Sequence, residues 1–186
     1  HQFLMPASLE TYRQALEILD IKRQGLSVAR SKLISVAVAV LTPLTLTDLN
    51  LEILLSACEH DFPVIPTICP MAGTTAPYSQ AGTLLVANTE NIFVAALTQM
   101  IKPGHKFLYV MGPSVTDMRT GEDMYYTLDK VLLKNAGVRL GKAYNLPVGA
   151  ECGGSMTYRY DQQNGAEGML FMLAAVHAGA EVLAGL

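Results

Sequence analysis

Five short apolar runs, starting near Leu33, Pro63, Phe107, Pro147 and Glu181, alternate along this chain with stretches whose apolar residues recur at helical spacing. That alternation restricts the fold more than any other feature of the sequence. Parallel strands cannot be joined by tight turns; they need a crossover of about a dozen residues or more, and each intervening segment is long enough to supply one as a helix. The pattern is α/β with a parallel sheet. The entries into strands also repeat: Asp61-Phe62-Pro63-Val64 and Asn145-Leu146-Pro147-Val148 both leave a helix and begin a strand at proline, where no ladder donor is lost. Such repetition favours a (β/α) barrel over a doubly wound sheet. A dinucleotide fold would also need a glycine-rich turn after its first strand, where Leu41-Thr42-Pro43-Leu44 stands instead. A closed eight-unit barrel takes about 250 residues. The expected fold is therefore a partial (β/α)8 TIM barrel, about five β/α units of a larger barrel, in one domain: residues 1–32 a helical lead-in and residues 33–186 the β/α units. Both ends read as cut, since His1 is no initiator Met and the last run ends as a buried strand.

Helices are expected over Ser8–Asp20 behind a serine cap, from Asp48 to about His60, from Ser79 to Ile101, from roughly Asp123 to Tyr144 and over Asp161–Ala178. Gly137 and Gly141 weaken the fourth. The stretch from Gly168 to Leu186 has the apolarity of a membrane span, but His177 and Glu181 interrupt it and Gly179 splits it, so it reads as helix then strand and no membrane partner is expected.

Charge narrows the function classes. A net charge of −3, with 16% charged residues, gives no basic field to hold a nucleic-acid backbone, so nucleic acid is not an expected partner. The same low charge suits a piece whose surface is covered by something else. Cys58, Cys69 and Cys152 lie apart without pair spacing, and the expected setting is a reducing cytoplasm.

In a barrel the working groups sit at the C-terminal ends of strands, which here means Thr42–Leu44, Cys69–Pro77, Gly112–Gly121 and Glu151–Asp161. The lysines are expected elsewhere: Lys106 precedes its strand, while Lys130, Lys134 and Lys142 fall on a helix, which disfavours a Schiff-base mechanism. No metal site is expected, because Cys69 and Cys152 top different strands without a histidine companion. Glu151 is the sharpest residue: a carboxylate at a strand end before Cys152-Gly153-Gly154, either a counter-ion to a cationic substrate or a group held by the glycine amides. Asp117 and Arg119 either pair to shape their loop or offer a guanidinium fork to a substrate carboxylate. Tyr78, Tyr158 and Tyr160 crowd the second and fourth loops, as rim packing or as a box for a quaternary ammonium. Asn88 and Glu90 read as a solvated helix face.

Taken in order, Thr42-Pro43-Leu44, Pro70-Met71-Ala72-Gly73-Thr74-Thr75-Ala76-Pro77, Ala81-Gly82-Thr83-Leu84, Ala87-Asn88-Thr89-Glu90, Pro103-Gly104, Asp117-Met118-Arg119-Thr120-Gly121, Leu146-Pro147, Asp161-Gln162-Gln163-Asn164-Gly165 with Glu167, and Ala178-Gly179-Ala180 resemble the trimethylamine:corrinoid methyltransferase family. That family includes pyrrolysine-lacking members of the glycine betaine type. The resemblance runs from about Leu33 onward; Thr157-Tyr158-Arg159-Tyr160 departs from it where the family pattern favours an aspartate. It implies a longer (β/α) barrel that moves a methyl group from a quaternary or tertiary methylated amine to the cobalt of a corrinoid. The corrinoid is carried by a partner protein and not bound directly, and the full-length chain is expected as a homo-oligomer. On that reading Glu151 and nearby tyrosines take the ammonium and Arg119 a betaine carboxylate, with no catalytic residue assigned. Two alternatives stay open: a non-catalytic amine- or partner-binding paralogue, and an unrelated barrel transferase or lyase.

Overall fold

The computed structural model describes residues 2–22 and 34–184. The end of the expected lead-in, residues 23–32, and the start of the first run at Leu33 therefore lie outside the described residues, as do the first position and the last two. In chain order the elements are β1 (Gln2–Leu4), α1 (Leu9–Lys22), β2 (Ile34–Ala39), α2 (Asp48–Glu59), β3 (Val64–Thr67), β4 (Met71–Ala72), α3 (Gln80–Ile101), β5 (Ser114–Val115), α4 (Leu128–Ala143), β6 (Gly149–Glu151), α5 (Gln162–Ala178) and β7 (Val182–Ala184).

Every strand pairing within a sheet is parallel. Gln2 faces Ile34 and Val36 faces Val64, which gives the order β1-β2-β3, while Gly149 faces Val182 to pair β6 with β7. The segment around Phe107–Tyr109 joins the two groups through single bridges, Val64 to Phe107 and Tyr109 to Val148. Leu108 N donates to Val64 O at 3.0 Å, and Tyr109 N to Pro147 O at 2.9 Å. The run β1, β2, β3, Phe107–Tyr109, β6, β7 thus follows chain order, each neighbour reached through a helix. It does not close among the described residues. Two expectations change. The lead-in opens with a strand, β1, because the three residues before Met5 find a parallel partner in β2. The third strand is reduced to bridges, because its neighbours hold it at only a few backbone groups.

The loops that leave β3 and the Phe107–Met111 segment are stitched together as well. Gly112 N donates to Ile68 O, Ser114 N to Pro70 O and Thr116 N to Ala72 O, all within 2.8–3.0 Å, and β4 pairs with β5 in parallel.

Local signals set the helix ends. Ser8 and Thr11 exchange hydrogen bonds at the start of α1, while Thr47, Ser79 and Asp161 accept from the N–H of Asn50, Gly82 and Asn164 to cap α2, α3 and α5. Gly179 ends α5 in the left-handed conformation at φ 94°. Helix α4 begins at Leu128, five residues after the expected Asp123, because Asp123 is bridged antiparallel to Thr116 and Met124 N donates to Val115 O. Its glycines allow close approach: a Cβ on Gly141 would stand 2.3 Å from Val148 Cγ1, and one on Gly137 2.7 Å from Met111 Sδ.

The core lies between the helices and one face of the strands, with Val36, Val38, Val64, Tyr109, Val148 and Ala150 at its centre. Helix α3 turns a largely polar stripe inward, Thr83, Glu90, Asn91 and Thr98, and leaves Leu85, Phe93 and Met100 exposed. By length and composition alone it is apolar enough to cross a membrane. The expectation of a solvated Glu90 is overturned: the residue is fully buried, with the Thr42 hydroxyl donating to Oε2 at 2.9 Å and Leu44 N to Oε1 at 2.8 Å. Asn88 bridges two tyrosines, accepting from the Tyr109 hydroxyl at 2.7 Å and donating to the Tyr144 oxygen at 3.0 Å.

Candidate active site

The face of the strands turned away from the helices lines a cavity of about 320 Å³. Alternate residues point into it, among them Ile65 and Thr67, Leu108 and Val110, and Val182 and Ala184, so its walls are apolar. Its polar end is built where three segments finish, by Cys69, Tyr125 and Glu151 around Gly112. A Cβ on Gly112 would lie 3.3 Å from Glu151 Oε2, 3.5 Å from Cys69 Sγ and 3.7 Å from Tyr125 Oη, so glycine there lets these three groups converge. A second hollow, lined by Asp61, Lys102, Pro103, Gly104, His105 and Lys106, sits where the chain enters the strands, and Lys102 and Asp61 form an ion pair in its wall.

Glu151 ends β6, as expected, but it is not held by the glycine amides. Its Oε2 accepts from the Tyr125 hydroxyl at 3.1 Å and lies 2.9 Å from the ammonium of Lys130, while no hydrogen bond among the described residues reaches Oε1. Lys130 comes from the first turn of α4, is fully buried and passes over the Tyr125 ring. One turn on, Lys134 is also buried; its ammonium donates to the Glu151 carbonyl oxygen and lies 4.3 Å from the Phe171 ring centroid. The expectation that the lysines lie away from the strand ends is therefore corrected for two of them. Lys130 and Lys134 occupy the inward stripe of α4 with Gly137 and Gly141, and that stripe presses against the ends of the strands.

Burial sets the protonation behaviour of the cluster. It pushes Lys130 below the ordinary lysine range against the opposing pull of Glu151, and it brings Lys134 down to about 8. Desolvation by the surrounding protein likewise raises Cys69, although its side chain is exposed at the cavity, and it raises Tyr125, helped by Cys69 and Glu151. Cys69 is thus kept as a thiol and is a poor nucleophile at neutral pH.

The remaining expected residues are dispersed. Tyr158 and Tyr160 are fully exposed, and Tyr78 is 65% exposed and packs over Gly73 beside Met118. The aromatic groups that adjoin Glu151 are instead Tyr125 and Tyr126, edge to face at 5.0 Å, with Tyr126 meeting Phe171 at 5.7 Å. Asp117 accepts from the backbone N–H of Arg119 at 2.8 Å, so it shapes the loop through the main chain and leaves the exposed guanidinium without an ion pair among the described residues. Beyond Glu151, the chain turns through Gly153 and Gly154 at φ 79° and 87°, then is tied to α5 by Glu167, which accepts from Ser155 Oγ and Met156 N. No group of three metal-ligating side chains occurs among the described residues.

A sequence profile for the family described as trimethylamine methyltransferase matches residues 2–185. Glycine betaine methyltransferase of Desulfitobacterium hafniense (strain Y51) is 31% identical over 167 residues, covering 89% of this chain and 35% of its own length. Proline betaine:corrinoid methyltransferase of Eubacterium limosum is 25% identical over 161 residues, covering 87% and 33%. Trimethylamine methyltransferase of Methanosarcina thermophila is 27% identical over 158 residues, covering 84% and 33%. The chain spans about a third of the length of these curated relatives.

Proposed function

The chain belongs to the trimethylamine methyltransferase family, and from that premise we propose that the full-length protein transfers a methyl group from a betaine-type quaternary amine to the cobalt of a corrinoid carried by a separate protein. The observation that carries the reading is an apolar cavity whose polar end offers one carboxylate, Glu151, with one oxygen unbonded among the described residues, beside an aromatic ring, Tyr125. A cavity of about 320 Å³ is at the small end of ligand sites and suits a methylated amine. The corrinoid enters as the partner's cargo. The chemistry it supplies is a cobalt electron pair that accepts the methyl; the C–N pair stays on nitrogen, so a quaternary amine leaves as a neutral tertiary amine and needs no proton.

The work left to this chain is binding, orientation and exclusion of water. Apolar walls receive the methyl groups, Glu151 and the face of Tyr125 draw the ammonium to one end, and Arg119, exposed on its loop outside the cavity lining, is the proposed holder of a betaine carboxylate. In this reading Lys130, Lys134, Cys69 and Tyr125 have no proton to deliver. The same premise supports the fold: strands neighbouring in chain order, with one face toward the helices and the other toward a cavity, are read as an arc of a (β/α)8 barrel.

Isothermal titration of the full-length protein with glycine betaine, beside Glu151→Gln and Arg119→Ala, tests the binding roles. Each substitution should weaken binding by about tenfold or more, as loss of a charge contact implies. Unchanged affinity in both variants would remove these residues from the site.

A further inference from the structure

Lys130 has a place in this site that sequence order does not announce. A bare carboxylate at the end of an apolar cavity attracts every cation alike, organic or inorganic. Here the carboxylate is not bare. Lys130 Nζ stands 2.9 Å from Glu151 Oε2, with a side chain that has no exposure at all, while Glu151 keeps 26% of its side chain accessible. Tyr125 binds the same oxygen, so both restraints act on Oε2 and leave Oε1 without a hydrogen bond among the described residues. The ammonium of Lys134 reaches the carbonyl of the same residue from one helical turn away. One carboxylate is thus backed by two buried lysines, and part of the charge it presents is offset from behind.

We propose that Lys130 is a positioning residue that sets the charge class of the substrate, fixing Glu151 and offsetting part of its charge so that the site selects betaines over plain methylated cations. A betaine brings an ammonium and a carboxylate and adds no net charge to the cluster. A plain cation brings one uncompensated positive charge toward Lys130 and Lys134 and gains little from a carboxylate already paired. The inference rests on the betaine-binding reading of the same cavity.

Glycine betaine and choline share the trimethylammonium head and differ in the carboxylate, so their relative affinity reads the effect. Titrations of the full-length protein should show wild type favouring betaine. In Lys130→Met, whose unbranched stem fills the same space, the choline-to-betaine affinity ratio should rise by about tenfold or more. The double variant Lys130→Met/Glu151→Gln, with both charges gone, should return the ratio to near the wild-type value. Lys130→Gln, which removes the charge but keeps a hydrogen-bond donor, should repeat the single-variant shift and serves if the Met variant does not fold. A merely structural lysine would lower both affinities together; an unchanged ratio in both single variants while wild type still binds betaine overturns this inference alone. Wild type that binds neither ligand overturns it together with the function proposed above.

Discussion

Replacing Glu90 by leucine should unfasten the turn that follows β2. The carboxylate is fully buried in α3, and its two oxygens accept from the Thr42 hydroxyl at 2.9 Å and the Leu44 N–H at 2.8 Å. A hydrogen bond to a charged acceptor contributes about 1.5–3 kcal/mol net of the hydration it replaces, so two are worth roughly 3–6 kcal/mol. A buried leucine side chain returns about 1.5–3 kcal/mol through its apolar surface. The expected net loss is about 1.5–3 kcal/mol. Glu90→Gln should lose about 1 kcal/mol or less, because its amide oxygen still accepts from Leu44 N–H and the Thr42 hydroxyl can turn to accept from the amide nitrogen. Urea unfolding of the full-length protein, read with both variants side by side, measures the difference. A leucine variant within about 0.5 kcal/mol of wild type, or a glutamine variant damaged as badly as the leucine one, would refute the assignment of Glu90 as the anchor of Thr42–Leu44.

Three further outcomes follow from named contacts. Gly154→Ala places a Cβ 2.1 Å from the Tyr126 ring at a backbone φ of 87° and should destabilise by roughly 2–5 kcal/mol, seen as a lowered melting temperature. Burial brings Lys134 to about 8 from 10.5, so over that window the unfolded chain holds a proton the folded chain has released, and stability gains up to about 3 kcal/mol as pH rises from 8 to 10.5. The difference in unfolding free energy between wild type and Lys134→Met should therefore grow in favour of wild type across that range; a flat difference would contradict the burial effect. Tyr158→Phe and Tyr160→Phe should leave betaine affinity unchanged, since both rings are fully exposed, whereas Tyr125→Phe should weaken it by freeing the Glu151 carboxylate; the reverse order would return the aromatic contact to the fourth loop.

The sequence carried the parallel alternation because strand and helix periods differ and because a proline can start a strand without losing a ladder bond. Pro63 and Pro147 therefore marked their strands. Glu151 was legible for a similar reason: a carboxylate ending an apolar run has few places to go. Lys130 and Lys134 were missed because a lysine on a helix is read as solvated, and only tertiary packing decides which stripe of α4 faces inward. A signal was present, since Lys130, Lys134, Gly137 and Gly141 share one stripe and glycines at that spacing mark close approach to another element. Read that way, the glycines define the buried side of the helix more than they weaken it. Tyr158 and Tyr160 failed to join the site for the opposite reason. Positive φ at Gly153 and Gly154, followed by the ties from Glu167 to Ser155 and Met156, turns that segment outward, and such geometry leaves little trace in residue type. Tyr125 and Tyr126, treated only as the start of a helix, precede it in a loop and take the place beside Glu151.

Methyl transfer itself is the most direct measurement. Full-length protein is mixed with a reduced corrinoid protein and glycine betaine, and the methylated corrinoid is followed by absorbance while the demethylated amine is quantified. The predicted result is one dimethylglycine for each methylated corrinoid, with the rate sharply reduced in Glu151→Gln and retained in Tyr160→Phe. A protein that forms no methylated corrinoid from glycine betaine or any other methylated amine, under conditions where a related methyltransferase acts on the same corrinoid protein, would contradict it.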